Sequence, residues 1–178
     1  MLFALIVLLG ALALGWARGG SLDRLGHLPL RFKRLVVAGL AVQVLGGVAG
    51  GWRYPAGLAL SALLVLVFLG LNRGIQGTGL VALGLLLNAL VVGLNGAMPV
   101  SGDAMGRARL TTQDIISGAD PRHELIDDAT RLPWIADQIP FYAPGHPEIV
   151  STGDVAVASG LAELVVLGMG SSPRRRRR

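Results

Sequence analysis

Five stretches of this chain are too apolar for water to be the solvent of them all: Leu2–Ala17, Leu35–Trp52, Ala56–Leu71, Gly77–Leu94 and Asp154–Met169. The first four contain no charged residue, and the fifth contains only Asp154 and Glu163. A helix that crosses a bilayer needs about 20 mostly apolar residues, and about 17 at the least, because it rises about 1.5 Å per residue through a hydrocarbon core about 30 Å thick. The stretches sit at the short end of that range, which predicts spanning helices with little tilt. The expected fold class is all-α: a polytopic membrane bundle of five transmembrane helices. Residues 1–170 form one membrane domain, an irregular and partly helical outer cap covers 95–153, and a disordered arginine-rich tail occupies 171–178.

Composition supports a membrane environment and removes several kinds of chemistry. Mean hydropathy is +0.60, with 52% hydrophobic and 15% charged residues, far from a disordered or an ordinary water-soluble chain. Cysteine is absent, so thiolate nucleophiles, disulfides and cysteine metal sites are excluded. The net charge of +5 does not describe a nucleic-acid footprint. Five of the sixteen basic residues are the terminal run Arg174–Arg178, and the remaining eleven face eleven acids.

Charge in the loops sets an orientation. Arg18, Arg24, Arg31, Lys33 and Arg34 against Asp23 alone place the loop after the first span in the cytoplasm. No Lys or Arg precedes the first span, which argues for an uncleaved anchor with its N-terminus outside rather than a signal peptide. The 95–153 segment then lies outside, and the C-terminus returns to the cytoplasm, where Arg174, Arg175, Arg176, Arg177 and Arg178 meet anionic lipid.

The outer segment has too few apolar residues for a core of its own and predicts short surface-lying helical turns. Thr111 with Asp114 reads as a cap ahead of a helix at 113–117, and Leu132, Ile135 and Ile139 follow helical spacing. Trp134, Phe141 and Tyr142 suit the headgroup layer, while Pro133, Pro140, Pro144 and Pro147 forbid a long helix. Ser151 with Asp154 forms a second cap pattern, opening the last span.

Polar groups inside spans are the first candidate site. Gln43, Asn88 and Glu163 lie at comparable depth on stripes of small residues: Gly39, Gly47 and Gly51 about Gln43, Gly84 before Asn88, and Ser159 and Gly160 before Glu163. Small side chains let helix backbones approach, so these faces are expected to converge. The main reading is interhelical hydrogen bonding, and the sharper one is a proton relay on Glu163. His123 with Asp127, and Glu124 with Asp128, have helical spacing but no metal motif, and read as an exposed face. Neither metal nor cofactor is predicted. The glycines lack a phosphate-loop pattern, and His146, Ser151 and Asp154 are near in sequence without constituting a triad.

Asn95-Gly96-Ala97-Met98-Pro99-Val100-Ser101, then Thr130-Arg131-Leu132-Pro133-Trp134 with Ile139-Pro140, then Ser151-Thr152-Gly153-Asp154-Val155 make up a set whose order and spacing resemble the DUF5317 family. The resemblance runs to about Gly170. It implies a polytopic protein of the bacterial cytoplasmic (inner) membrane, mainly of Gram-positive lineages, without an assigned activity or functional residues. In physical terms Asn95 and Gly96 suit a left-handed helix cap, Pro99 a change of direction, Ser101 a further cap, and Arg131 an ion pair with Asp127 or Asp128.

The outer-face candidates are therefore Asn95, Pro99, Ser101, Asp127, Asp128, Arg131 and Asp154, with structural roles ranked above ligand binding. The leading functional expectation is a non-catalytic accessory or scaffold subunit with a membrane protein partner of unknown identity. Two alternatives stand beside it: a small proton-coupled transporter or channel using Glu163, and a lipid-modifying enzyme built from His123, Asp127, Asp128 and Arg131.

Overall fold

A computed structural model describes residues 2–49, 53–120, 122–143 and 145–170. The tail arginines 174–178 and Pro144 lie outside the described residues. The chain runs α1 (Leu2–Ala17), α2 (Leu22–Gly26), α3 (Arg34–Ala49), α4 (Arg53–Leu71), α5 (Thr78–Asn95), β1 (Met98–Val100), α6 (Gly102–Arg107), α7 (Gln113–Ile116), β2 (His123–Leu125), a 3-10 turn (Pro133–Ile135), β3 (Asp137–Phe141), β4 (Glu148–Ser151) and α8 (Thr152–Gly170).

This overturns the all-α five-span bundle. The outer segment contains a four-stranded mixed sheet in the order β2-β1-β3-β4, with β1 parallel to both β2 and β3, and β3 antiparallel to β4. Among the described residues only Thr78–Asn95 and Thr152–Gly170 are long and apolar enough to cross a bilayer. The apolar helical stretches described elsewhere, Leu2–Ala17, Arg34–Gly46 and Ala59–Leu71, are shorter; the sixteen residues of α1 give a rod of about 24 Å, less than the hydrocarbon core. The apolar stretches were real, but apolarity does not set helix length.

The strands escaped the sequence because each is three to five residues long, too short for alternation to register. Two contain proline: Pro99 is fully buried in β1 opposite Glu124 rather than turning the chain, and Pro140 pairs with Ile149. The helical reading of Leu132, Ile135 and Ile139 fails for the same reason. Leu132 has φ 54° ahead of the 3-10 turn, and Ile139 is a strand residue.

α5 and α8 pack antiparallel through glycine. A Cβ at Gly84 would run into the Gly153 carbonyl and stand 2.7 Å from Val157 Cγ2. One at Gly160 would stand 2.6 Å from the carbonyl oxygen of Gly77. α1 lies along α8 with Ala11, Val165 and Met169 buried between them, and Phe68, Leu69 and Val81 join α4 to α5. The α3–α4 hairpin closes where Gly46 meets Gly57, with Ser61 Oγ 3.5 Å from Gln43 Oε1.

Two asparagines tie loops to helix ends in the same way. At the end of α4, Asn72 accepts from Arg31 N at 2.7 Å and donates to Arg31 O at 3.0 Å and Phe68 O at 2.8 Å. At the end of α5, Asn95 accepts from Arg131 N at 2.7 Å and donates to Arg131 O at 2.9 Å and Val91 O at 2.8 Å. Gly96 then takes φ 93°, its N–H returning to Val92 O at 2.8 Å, the left-handed cap that the sequence predicts.

Substitution at the α5–α8 contact tests the packing. Gly84→Ala is expected to destabilise the protein by about 1–3 kcal/mol through overpacking. In contrast, Gly93→Ala, at a position with nothing within 4 Å, should be neutral or stabilising by up to about 1 kcal/mol. Unfolding midpoints in detergent report both, and equal effects would sink the close-packing account.

Candidate functional site

The sheet is joined to the helices by a ring of polar contacts at the start of α8. Ser151, with 0% exposure, ends β4 and caps α8. Its Oγ accepts from Asp154 N at 2.9 Å, while Asp154 Oδ2 accepts from Ser151 N at 3.1 Å. This reciprocal capping box matches the sequence pattern. Asn88 of α5 completes the ring: its Nδ2 donates to Asp154 Oδ1 at 2.8 Å and its Oδ1 accepts from Ser151 Oγ at 2.9 Å. Gly153 is obligatory beneath it, because a Cβ there would collide with Asn88 Oδ1.

Beside this ring sits Asp137, the first residue of β3 and the register partner of Ser151. Its backbone oxygen accepts from Ser101 N at 2.9 Å. The residue is 6% exposed, and its Oδ1 has no hydrogen-bond partner. Burial, reinforced by the nearby Asp154 carboxylate, pushes the Asp137 carboxyl up to about 7. Its other oxygen stands 3.8 Å from His123 Nε2, and His123 Nδ1 is 2.8 Å from Asp120 Oδ2. The Arg122 guanidinium, hydrogen-bonded to Asp120 at 2.9 Å, holds that carboxyl far below the usual range, with His123 adding to the effect against burial. A carboxylate near the surface, an imidazole and a buried carboxyl are thus neighbours, the imidazole hydrogen-bonded to the first and beyond hydrogen-bond reach of the second.

At the far end of β4, Glu148 receives the head of α1: Leu2 N at 2.6 Å and Phe3 N at 3.1 Å. Burial raises its pKa, but the hydrogen bonds at the head of α1 outweigh that and hold it below the ordinary value.

The sequence candidates separate. Asn88 and Asp154 are in the ring, whereas Gln43 bonds to Ser61 in the α3–α4 hairpin. Glu163 is half-buried on α8, nine residues past Asp154 or about 14 Å along the axis. Asp127 organises its own turn, bonding Ala129 N at 2.9 Å and Thr130 Oγ1 at 3.1 Å. Asp128 is exposed, and among the described residues no ion pair joins Arg131 to either aspartate. Ser101 caps α6 by accepting from Ala104 N at 3.2 Å, and Thr111 Oγ1 accepts from Gln113 N at 3.1 Å. Among the described residues no group of three or more His, Asp or Glu side chains is arranged to hold a metal ion. Sequence reasoning missed Asp137, Asp120, Glu148 and Asn72. Asn72, just beyond an apolar run and before Arg73-Gly74, carried a cap signal, whereas Asp137 carried none.

The segments 95–101, 130–134 and 151–155 all meet at this junction, and the family comparison covers them. Residues 27–166 match DUF5317, a family of unknown function. The chain belongs to the DUF5317 family. An uncharacterized protein of Thermotoga maritima is 32% identical over 110 residues, which are 61% of each chain. The DUF5317 chain thus spans about three-fifths of that relative's length. No solved structure matches it.

Asp137 gives the DUF5317 fold a pH dependence of definite sign. Its carboxyl ionises near 3.8 when unfolded and near 7 when folded. Between those values the folded state keeps a proton that the unfolded state has released, so ionisation increasingly opposes folding as pH rises. Unfolding free energy should therefore fall from about pH 4 to about pH 7 and then level off. Asp120 and Glu148, both lowered, lose their contributions only at more acidic pH. Asp137→Asn should remove the slope and be more stable than the parent above pH about 7; a parallel slope in that variant would assign the effect elsewhere.

Proposed function

We propose that this DUF5317 protein is a non-catalytic accessory or scaffold subunit of the bacterial cytoplasmic membrane. α5 and α8 are held in lipid and the sheet stands on the outer side. The observation that carries the reading is the contrast between apolar helix surface and polar sheet. Leu83, Leu86 and Leu90 of α5 are 49%, 53% and 48% exposed, and Val37 and Leu40 of α3 are 68% and 62% exposed. In water each such face would cost about 25 cal/mol per Å² of apolar surface, a cost that lipid or a membrane partner removes.

Charge supports the orientation. Arg18, Arg31, Lys33 and Arg73 in loops, Arg24 in α2 and Arg34 at the start of α3 lie away from the sheet, while the 95–153 segment has four basic and eight acidic residues. The tail arginines would add attraction to anionic lipid on the inner side. A scaffold is preferred to a lipid-modifying enzyme because His123 turns to Asp120 and Asp137, and Asp127 is occupied by its own turn. It is preferred to a transporter because Glu163 has no second carboxylate nearer on α8 than Asp154.

The absence of cysteine makes the test direct. The protein should stay in membranes through alkaline carbonate washing. Ser117→Cys should react with an impermeant maleimide in intact cells and Asp23→Cys only after lysis. Carbonate release would refute membrane embedding, and the opposite labelling would reverse the orientation. Co-purification of a membrane protein at fixed stoichiometry is the expected mark of an accessory subunit.

A further inference from the structure

Two of the four basic residues in the acidic 95–153 segment converge on one pocket. Arg107 and Arg109, with Tyr142, Ala143 and Pro147, help to line a cavity of about 430 Å³ that has no carboxylate among its described lining residues. Both arginines are exposed, and among the described residues neither makes an ion pair. Of the other two basic residues, Arg122 pairs with Asp120 at 2.9 Å, and Arg131, which Asn95 holds by its main chain, does not line this pocket. Arg109 adopts φ 58°, a conformation sparsely used by residues with side chains, directly after Ala108, which is 3% exposed. The two arginines thus flank a buried, small residue in the chain and line the same pocket.

The position of the pocket restricts what reaches it. Tyr142 follows Phe141, whose ring meets that of Phe3 edge-on at 5.1 Å, and Pro147 precedes Glu148, which holds the head of α1. The pocket therefore lies beside the first turn of an apolar helix that leaves Leu5 and Leu9 49% and 55% exposed. Guanidinium forks match phosphate oxygens, and tyrosine is favoured where hydrocarbon gives way to headgroups.

We propose that this pocket binds the phosphate of an anionic membrane lipid between Arg107 and Arg109. Tyr142 borders the headgroup and the acyl chains lie along α1. The assignment of a lipid as the source of the phosphate rests on the membrane reading above.

Calorimetric titration of the full chain in detergent separates the sources, using dihexanoyl phosphatidylglycerol, dihexanoyl phosphatidylcholine and inorganic phosphate. The phosphatidylglycerol should bind at least tenfold more tightly than either of the others. R107Q/R109Q should weaken it at least tenfold, while R73Q, at an exposed arginine outside the pocket, should not. The tail arginines are present in every variant, so the difference belongs to the pocket. Inorganic phosphate binding as tightly, and lost in the same double variant, would overturn the lipid assignment. Equal affinity for both lipids, or no effect of R107Q/R109Q, would overturn the pocket itself. If circular dichroism shows the double variant unfolded, R107Q and R109Q singly provide the same readout. Carbonate extraction tests membrane embedding separately, so failure of one reading is distinguishable from failure of the other.

Discussion

The ring formed by Asn88, Ser151 and Asp154 is the interaction on which the remaining architecture depends. It links the end of β4, the first turn of α8 and the middle of α5 through four hydrogen bonds of 2.8 to 3.1 Å. Each group in it would carry a desolvation penalty if left alone, and Ser151 is wholly buried. Closing the ring removes those penalties together. It also fixes the register between α5 and α8, because the glycine contacts at Gly84–Gly153 and Gly77–Gly160 lie on the same seam.

The sheet extends that junction without an apolar core of its own. Its centre is covered by small or rigid residues, Pro99, Val100, Ala104 and Ala136, all nearly inaccessible. Its edge strand β4 is tied to helices by polar contacts: Ser151 to Asn88 of α5, and the amides of α1 to Glu148. Among the described residues Asp137 is the one with a buried side-chain oxygen left without a partner. A buried carboxyl with an orphaned oxygen opposes folding when charged, and it stands where β3, β4 and α8 meet. A change in its charge therefore acts where the sheet joins the helices.

How much of this was legible in the sequence varied with the range of the interactions. The five apolar helices were, though not the short α2, because apolar runs and caps are local: the Ser151–Asp154 box, the Gly96 cap and the Ser101 cap are each readable within four residues. The DUF5317 resemblance was legible too. The sheet was not, because β1 pairs with β2 across about 25 positions and neither strand is long enough to signal itself. Counting every apolar run as a span was the corresponding error, since the apolar length of a run and the length of its helix are separate quantities. Asn88 stood out in sequence as a polar residue in an apolar run, but its partners Ser151 and Asp154 lay in a different part of the reading. Asp137 looked like any polar residue after a turn.

The paired asparagine clamps have a further implication for how this sequence is free to vary. Asn72 and Asn95 hold Arg31 and Arg131 by the main-chain N–H and C=O alone. Any residue other than proline presents those two groups, so drift at positions 31 and 131 leaves the clamps intact. The asparagines have no such latitude, because aspartate lacks the donor and glutamine displaces the amide by a methylene. The burden of holding these loops thus falls on one side of each contact, and the arginine side chains are left available for whatever the protein meets at its surfaces.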